Sequence, residues 1–270
     1  MIHPVAAAVL ELATPDPPVA ATGGLPKTLT LDIETSPILA YTWGLFDQNI
    51  SIGQIVEPTR MLSWAAKWHG SKRVLFASEF HDGHDAMVRQ IHALLDEADI
   101  VVHFNGSTFD MPHLRREFAL LDLPPYSPVQ EVDLLKVARS RFRFPSNKLD
   151  YLAGQFDLGG KLHHTGFQLW RDCLAGDEKA WNLMRRYNKR DVVITEQLYD
   201  RLRPYMKTHP HMGLFSGEVD CCSRCGSVDL EKRGFAYTGV SAFQQFRCRA
   251  CGSWSRGSKS TARVDSRGVA

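Results

Sequence analysis

Between Thr28 and Pro37 an alternating run of β-branched and apolar residues ends in Asp32-Ile33-Glu34. Such alternation predicts a strand, and on a strand residues i and i+2 point to the same face. Asp32 and Glu34 therefore stand side by side. Two adjacent carboxylates repel and lose hydration when buried, so a core strand that carries both calls for water or a cation between them. Oxygen donors of this kind suit Mg2+ or Mn2+. Whether the pair is a metal site or a solvated strand end is decided by the rest of the chain.

Two later stretches bear on it. The apolar segment Asp99 to Phe104 reads as a strand and runs into Asn105-Gly106-Ser107-Thr108-Phe109-Asp110, a glycine-containing turn before a helix expected over Thr108 to Leu121. Asp110 then falls in the first helical turn, near the positive end of the helix dipole. Farther on, Tyr187-Asn188-Lys189-Arg190-Asp191 lies in a helical run, where Tyr187 and Asp191, four residues apart, share a face.

Asp-x-Glu on an early strand, Asn-x-x-x-Phe-Asp after it and Tyr-x-x-x-Asp on a late helix together resemble the DEDD 3'-5' exonuclease superfamily. The tyrosine four residues before the last aspartate is similar to the branch typified by the proofreading domains of B-family DNA polymerases and by free-standing bacterial and phage enzymes. The other branch has a histidine five residues before that aspartate, where this chain has Arg186. The resemblance covers about Thr28 to Met206 and includes Asn147 to Ala153. It implies an α/β, ribonuclease H-like fold, a mixed sheet flanked by helices. It also implies two Mg2+ or Mn2+ ions, with Asp32, Glu34 and Asp191 holding one, Asp32 bridging to the other and Asp110 holding that second ion. Tyr187 would orient the attacking water. The implied substrate is the 3' end of a nucleic acid, single-stranded DNA before RNA. An exoribonuclease, a structure-specific endonuclease and a binding adaptor with a silent nuclease core are the alternatives. All five site positions are filled, which argues against the adaptor.

Candidate substrate contacts are Asn105 in the turn and the basic residues Arg139, Arg141, Arg143 and Lys148, interleaved with Phe142 and Phe144. Basic side chains track a phosphate backbone and aromatic faces stack unpaired bases. Trp43, Trp64 and Trp68 read as core or rim packing, His163-His164 as a surface turn and Cys173 as a small buried hydrophobe.

Five of the six cysteines lie between Cys221 and Cys251. Cys222 and Cys225, then Cys248 and Cys251, form two C-x-x-C-Gly knuckles with 22 residues between them, the pattern of a four-thiolate Zn2+ site. A redox dithiol is the competing reading. Cys221 is out of register. The intervening Phe235, Tyr237, Phe243 and Phe246 suit a β-ribbon, so the module resembles a zinc ribbon. Residues 219–270 carry nine Lys and Arg against four Asp and Glu, whereas residues 1–218 carry 23 against 26. A basic end on a slightly acidic body suits a partner with phosphates. Arg247 and Arg249 are its candidate contacts, and protein docking through the ribbon is the other use.

The expected order is a disordered leader over 1–25, a nuclease domain over 26–206, a linker over 207–218, the ribbon over 219–256 and a disordered basic tail over 257–270. Within the domain, strands are expected at Ile38 to Phe46, Ser51 to Val56, Met61 to Trp68 and Arg73 to Ser78, then mixed elements, then helices from Asp133 onward. With 270 residues, 44% of them hydrophobic, the chain is long enough for one large core and a small appendage. No apolar run approaches a membrane span, and the clustered free cysteines suit a reducing cytoplasm.

Overall fold

A computed structural model describes residues 24–160, 162 and 165–268. The leader up to residue 23, the His163-His164 pair and the last two residues lie outside the described residues.

The strand around Asp32 is β1 (Thr28–Thr35). A peripheral pair, β2 (Leu39–Ala40) and β3 (Ile55–Glu57), follows, then β4 (Met61–Trp68) and β5 (Leu75–Ser78). Helices α1 (Glu79–Asp82) and α2 (His84–Glu97) lead to β6 (Ile100–His103), α3 (Asp110–Leu120) and β7 (Gln130–Asp133). Helices α4 (Leu134–Arg141), α5 (Leu149–Gln155), α6 (Phe167–Leu174) and α7 (Glu178–Leu202) complete the body.

The main sheet runs β5-β4-β1-β6-β7, antiparallel from β5 to β1 and parallel from β1 to β7. Its centre is β1, covered on both faces. Leu29, Leu31 and Ile33 pack with Met87, Ile91 and Leu95 of α2 and Met111 and Leu114 of α3. The opposite face presents Thr30, Asp32 and Glu34 toward α7, and beside it Ile100, Val102 and Val132 pack with Ile194, Leu198 and Leu202. The side of β1 that carries the acids is therefore the side on which α7 lies.

The two strands expected at Ile38 to Phe46 and Ser51 to Val56 do not join this sheet. Both edges of β1 are already taken by β4 and β6, so the insertion pairs only with itself. Trp43, expected to pack, is 98% exposed there, whereas Trp64 is buried at 3%.

Residues 207–218, expected as a linker, are ordered and packed. They contain α8 (Gly213–Ser216), Met212 is buried in the core, and the Tyr199 hydroxyl meets His209 Nε2 at 2.6 Å. Beyond it, β8 (Leu230–Tyr237) and β9 (Ser241–Cys248) form a hairpin. Along the other edge of β9 run β10 (Trp254–Arg256) and then β11 (Ala262–Arg263). The tail expected to be disordered thus supplies a strand: β9 extends past β10 and leaves backbone groups at Ser241 and Ala242 that β11 satisfies.

Candidate active site

Three elements deliver the acids to one cleft. Asp32 and Glu34 come from the end of β1, Asp110 from the first turn of α3, and Tyr187 and Asp191 from the middle of α7. All five line an open cleft of about 610 Å3 together with Asn105, Phe109, Arg139, Asn147, Lys148 and Asp150.

The turn that sets Asp110 is built from a buried polar cluster that spacing alone does not reveal. Asp133, at the end of β7, accepts the Asn105 N–H at 3.1 Å and the Ser107 hydroxyl at 2.5 Å. The Gly106 N–H donates to Nδ1 of fully buried His103 at 3.0 Å. A Cβ on Gly106 would come within 2.4 Å of the His103 ring, so the turn excludes any larger residue. Asn105 sits at φ 69°, the left-handed region that Asn tolerates better than most residues. The chain then enters α3 with Asp110 pointing inward, where its Oδ1 accepts the Ile33 N–H at 3.0 Å. Asp110 is thereby pinned to the residue between Asp32 and Glu34.

On α7, Tyr187, Asn188 and Asp191 are 9%, 0% and 3% exposed. Asn188 was not among the candidates. Its Nδ2 donates to Asp32 Oδ2 at 2.6 Å and to the Asp32 carbonyl at 3.2 Å, while Ser63 Oγ donates to its Oδ1 at 3.3 Å. Asn147 and Asp150 of the cleft wall were likewise not singled out as site residues.

The electrostatics are those of crowded negative charge. Burial raises the Asp110 carboxyl to about 6, against the opposing pull of His103 and the Ile33 N–H. Burial also pushes the Tyr187 hydroxyl well above its ordinary value, and Asp191, Glu34 and Asp32 push it further. A buried acid that resists ionisation beside other acids is the environment a divalent cation relieves, and an all-oxygen donor set fits Mg2+ or Mn2+.

Of the expected substrate contacts, Asn105, Arg139 and Lys148 line the cleft. Arg141 does not: it turns away and its Nε donates to the Tyr205 carbonyl at 3.0 Å. Arg143 is exposed outside the cleft lining. Phe142 and Phe144 stack on each other at 5.3 Å against the core. Cys173 is buried, which raises its thiol to about 12.

The ligand atoms of Cys222, Cys225, Cys248 and Cys251 all lie within 4.8 Å of one another. Sulfurs of Cys222 and Cys251 are 3.6 Å apart, and those of Cys225 and Cys248 3.7 Å. A tetrahedron with Zn–S bonds of about 2.3 Å has edges of about 3.8 Å, so the donor set fits zinc. Cys221 stays outside the cluster, with its thiol on the Glu218 carbonyl. Arg249 lies at the second knuckle, 3.5 Å from Asp229, while Arg247 is on β9.

Comparison with curated proteins finds no match. Among solved structures, the family B DNA polymerase of the hyperthermophilic archaeon Pyrobaculum calidifontis superposes with a TM-score of 0.51 at 16% identity, over 80% of this chain. This chain matches 31% of that polymerase's length, so the likeness is one of fold. The sequence model of the RNase H superfamily matches residues 62–203, from the second strand of the main sheet to the end of α7. With Asp110, Tyr187 and Asp191 inside that match and a mixed five-stranded sheet beneath them, the chain belongs to the RNase H superfamily.

Proposed function

We propose that the protein is a metal-dependent 3'-5' exonuclease that hydrolyses phosphodiester bonds at the 3' end of single-stranded nucleic acid, DNA in preference to RNA. The observation that carries this reading is that Asp32, Glu34, Asp110, Asp191 and Tyr187 line a single open cleft. Asp32, Glu34, Asp110 and Asp191 would hold the Mg2+ or Mn2+ ions, which would supply Lewis-acid stabilisation of the charge developing at phosphorus and lower the pKa of the attacking water. Tyr187 contributes position rather than base strength, because its hydroxyl holds its proton so firmly, and it directs that water in line with the scissile bond. Asn188 keeps Asp32 in one rotamer, and the Ile33 N–H does the same for Asp110. Arg139 and Lys148 bring positive charge to the wall of an otherwise acidic cleft, where a phosphodiester has to approach.

The catalytic unit spans 26–206, and Cys222, Cys225, Cys248 and Cys251 after it would hold a structural Zn2+, which with four thiolates would have no open position for chemistry. Among the described residues no helix is long and apolar enough to cross a membrane. The thiolate site suits a reducing cytoplasm.

The experiment is digestion of end-labelled single strands of DNA and RNA, each with a free or a blocked 3' end, in Mg2+ and in Mn2+. Stepwise shortening from free 3' ends alone is expected, faster on DNA. Cuts within blocked strands would reassign the site to endonuclease chemistry, and intact strands in all lanes would leave a binding adaptor.

A further inference from the structure

In the C-terminal sheet the strand register sorts the side chains. Residues directly opposite in an antiparallel pair share a face. Trp254 is opposite Arg247, Arg256 is opposite Gln245 and Arg263 is opposite Ser241. Alternation along β9 puts Phe243 on this same face, and the Arg256 guanidinium lies over the Phe243 ring at 4.1 Å. One face therefore carries three arginines and two aromatic rings in a stripe about 20 Å long, from Arg247 to Ser241. Trp254 is 51% exposed, and all three arginines are exposed.

Two of the module's four acids have arginine partners other than these three. Glu231, opposite Arg247, is 3.7 Å from Arg233, and Asp229 is engaged by Arg249 at the knuckle. The ring beneath Arg256 holds its guanidinium in place, so less side-chain freedom is lost when it takes a phosphate. An exposed indole between arginines offers a π-face to a base that has no pairing partner. Three arginines spaced along one face, with an exposed indole among them, suit a chain of phosphates carrying unpaired bases.

We propose that this face, formed by Arg247, Arg256, Arg263, Trp254 and Phe243, is a second nucleic-acid site that grips single strands away from the catalytic cleft. It rests on the reading of the chain as a nucleic-acid enzyme. The arginines take successive phosphates and Trp254 stacks on a base. Long strands are thereby held while their ends are worked on elsewhere.

The test is binding of the full chain to labelled oligodeoxythymidylate, and to its RNA counterpart, across a salt series without added Mg2+ or Mn2+, so that no strand is consumed. Trp254→Ala should weaken binding by about 5- to 150-fold, the range of one base stack, and Trp254→Phe should retain most of the affinity. Replacing Arg247, Arg256 and Arg263 together with Ala should lower the salt slope by about 2, at about 0.7 per phosphate. Lys232→Ala removes the same charge from the opposite face, since Lys232 pairs with Phe246, and should leave the slope unchanged. Zinc content of each variant reports whether the module is intact. Equal losses from Lys232→Ala and Arg256→Ala, no rescue by Phe at 254, or unchanged affinity in all face variants would overturn the proposal, the last leaving the face to a protein partner. Cleavage is not read, so loss of this proposal and loss of the exonuclease reading are separate outcomes.

Discussion

Asn188 and Asp32 are joined by a 2.6 Å hydrogen bond from the side-chain amide of α7 to the carboxylate of β1. Removing it should loosen the acid without removing a ligand. Asn188→Ala is expected to raise the Mg2+ concentration for half-maximal cleavage about 10- to 100-fold, the usual effect of losing a group that orients a metal ligand. Cleavage at saturating metal should largely recover. A metal titration of the rate checks this, and a lower rate with an unchanged half-maximal concentration would contradict it.

Asp110 has a folded-state value of about 6, above its ordinary 3.8. As pH rises from about 4 to 6 the unfolded chain gives up this proton first, so the folded protein binds more protons and its stability falls with pH. The full penalty, about 3 kcal/mol, is present above that window and absent below it. Asp110→Asn keeps an oxygen for the Ile33 N–H and should abolish cleavage. In zinc-replete protein without other divalent ions it should raise Tm at pH 7 and not at pH 4. Thermal scans at the two pH values decide it.

For Tyr187, the expectation concerns both rate and pH. Tyr187→Phe keeps the ring against Trp170 and should lower kcat by about 10- to 10^4-fold with little change in KM. Since the hydroxyl does not titrate in the working range, the pH profile of the residual activity should keep its shape. A lost alkaline limb in the variant would mean that Tyr187 acts as the base.

Glu196 behaves oppositely to Asp110. Burial alone would raise it, but the hydrogen bonds from Lys67 and the Gly70 N–H, with the His69 ring 3.4 Å away, outweigh that and hold the carboxyl at about 2. Its contribution is present above the ordinary 4.5 and disappears as pH falls toward 2, a swing of about 3 kcal/mol. Glu196→Gln should therefore cost stability at neutral pH and almost none near pH 2. Urea unfolding across that range measures the difference.

The thiolate cluster predicts one zinc per chain. Cys225→Ser or Cys248→Ser should release it and expose β8 and β9 to protease while α7 stays protected. Retained zinc in either variant would move the ligand set to include Cys221.

Much of the site is legible in the sequence because its spacings are mechanical. Asp32 and Glu34 share a strand face, Tyr187 and Asp191 share a helix face, and two knuckles declare a tetrahedral donor set. Residues that act by holding others left no such mark. Asn188 becomes visible only when α7 is laid across β1, and His103 and Asp133 only when β6 and β7 are paired. The insertion after β1 alternates like a strand, but alternation says nothing about whether a sheet edge is free to accept it. A two-residue strand such as Ala262–Arg263 sits below the length at which any pattern can be read.

The hydrogen bond between Asn188 and Asp32 closes 156 residues of chain, and that between Asp110 and Ile33 closes 77. Pairings so distant form slowly compared with local helices and turns. During synthesis β1 emerges first and waits with two of its acids in place until α7 has left the ribosome. On the proposed reading, nuclease competence then begins only once Asp191 has been made and α7 has packed on β1: no chain shorter than that holds the full set of carboxylates.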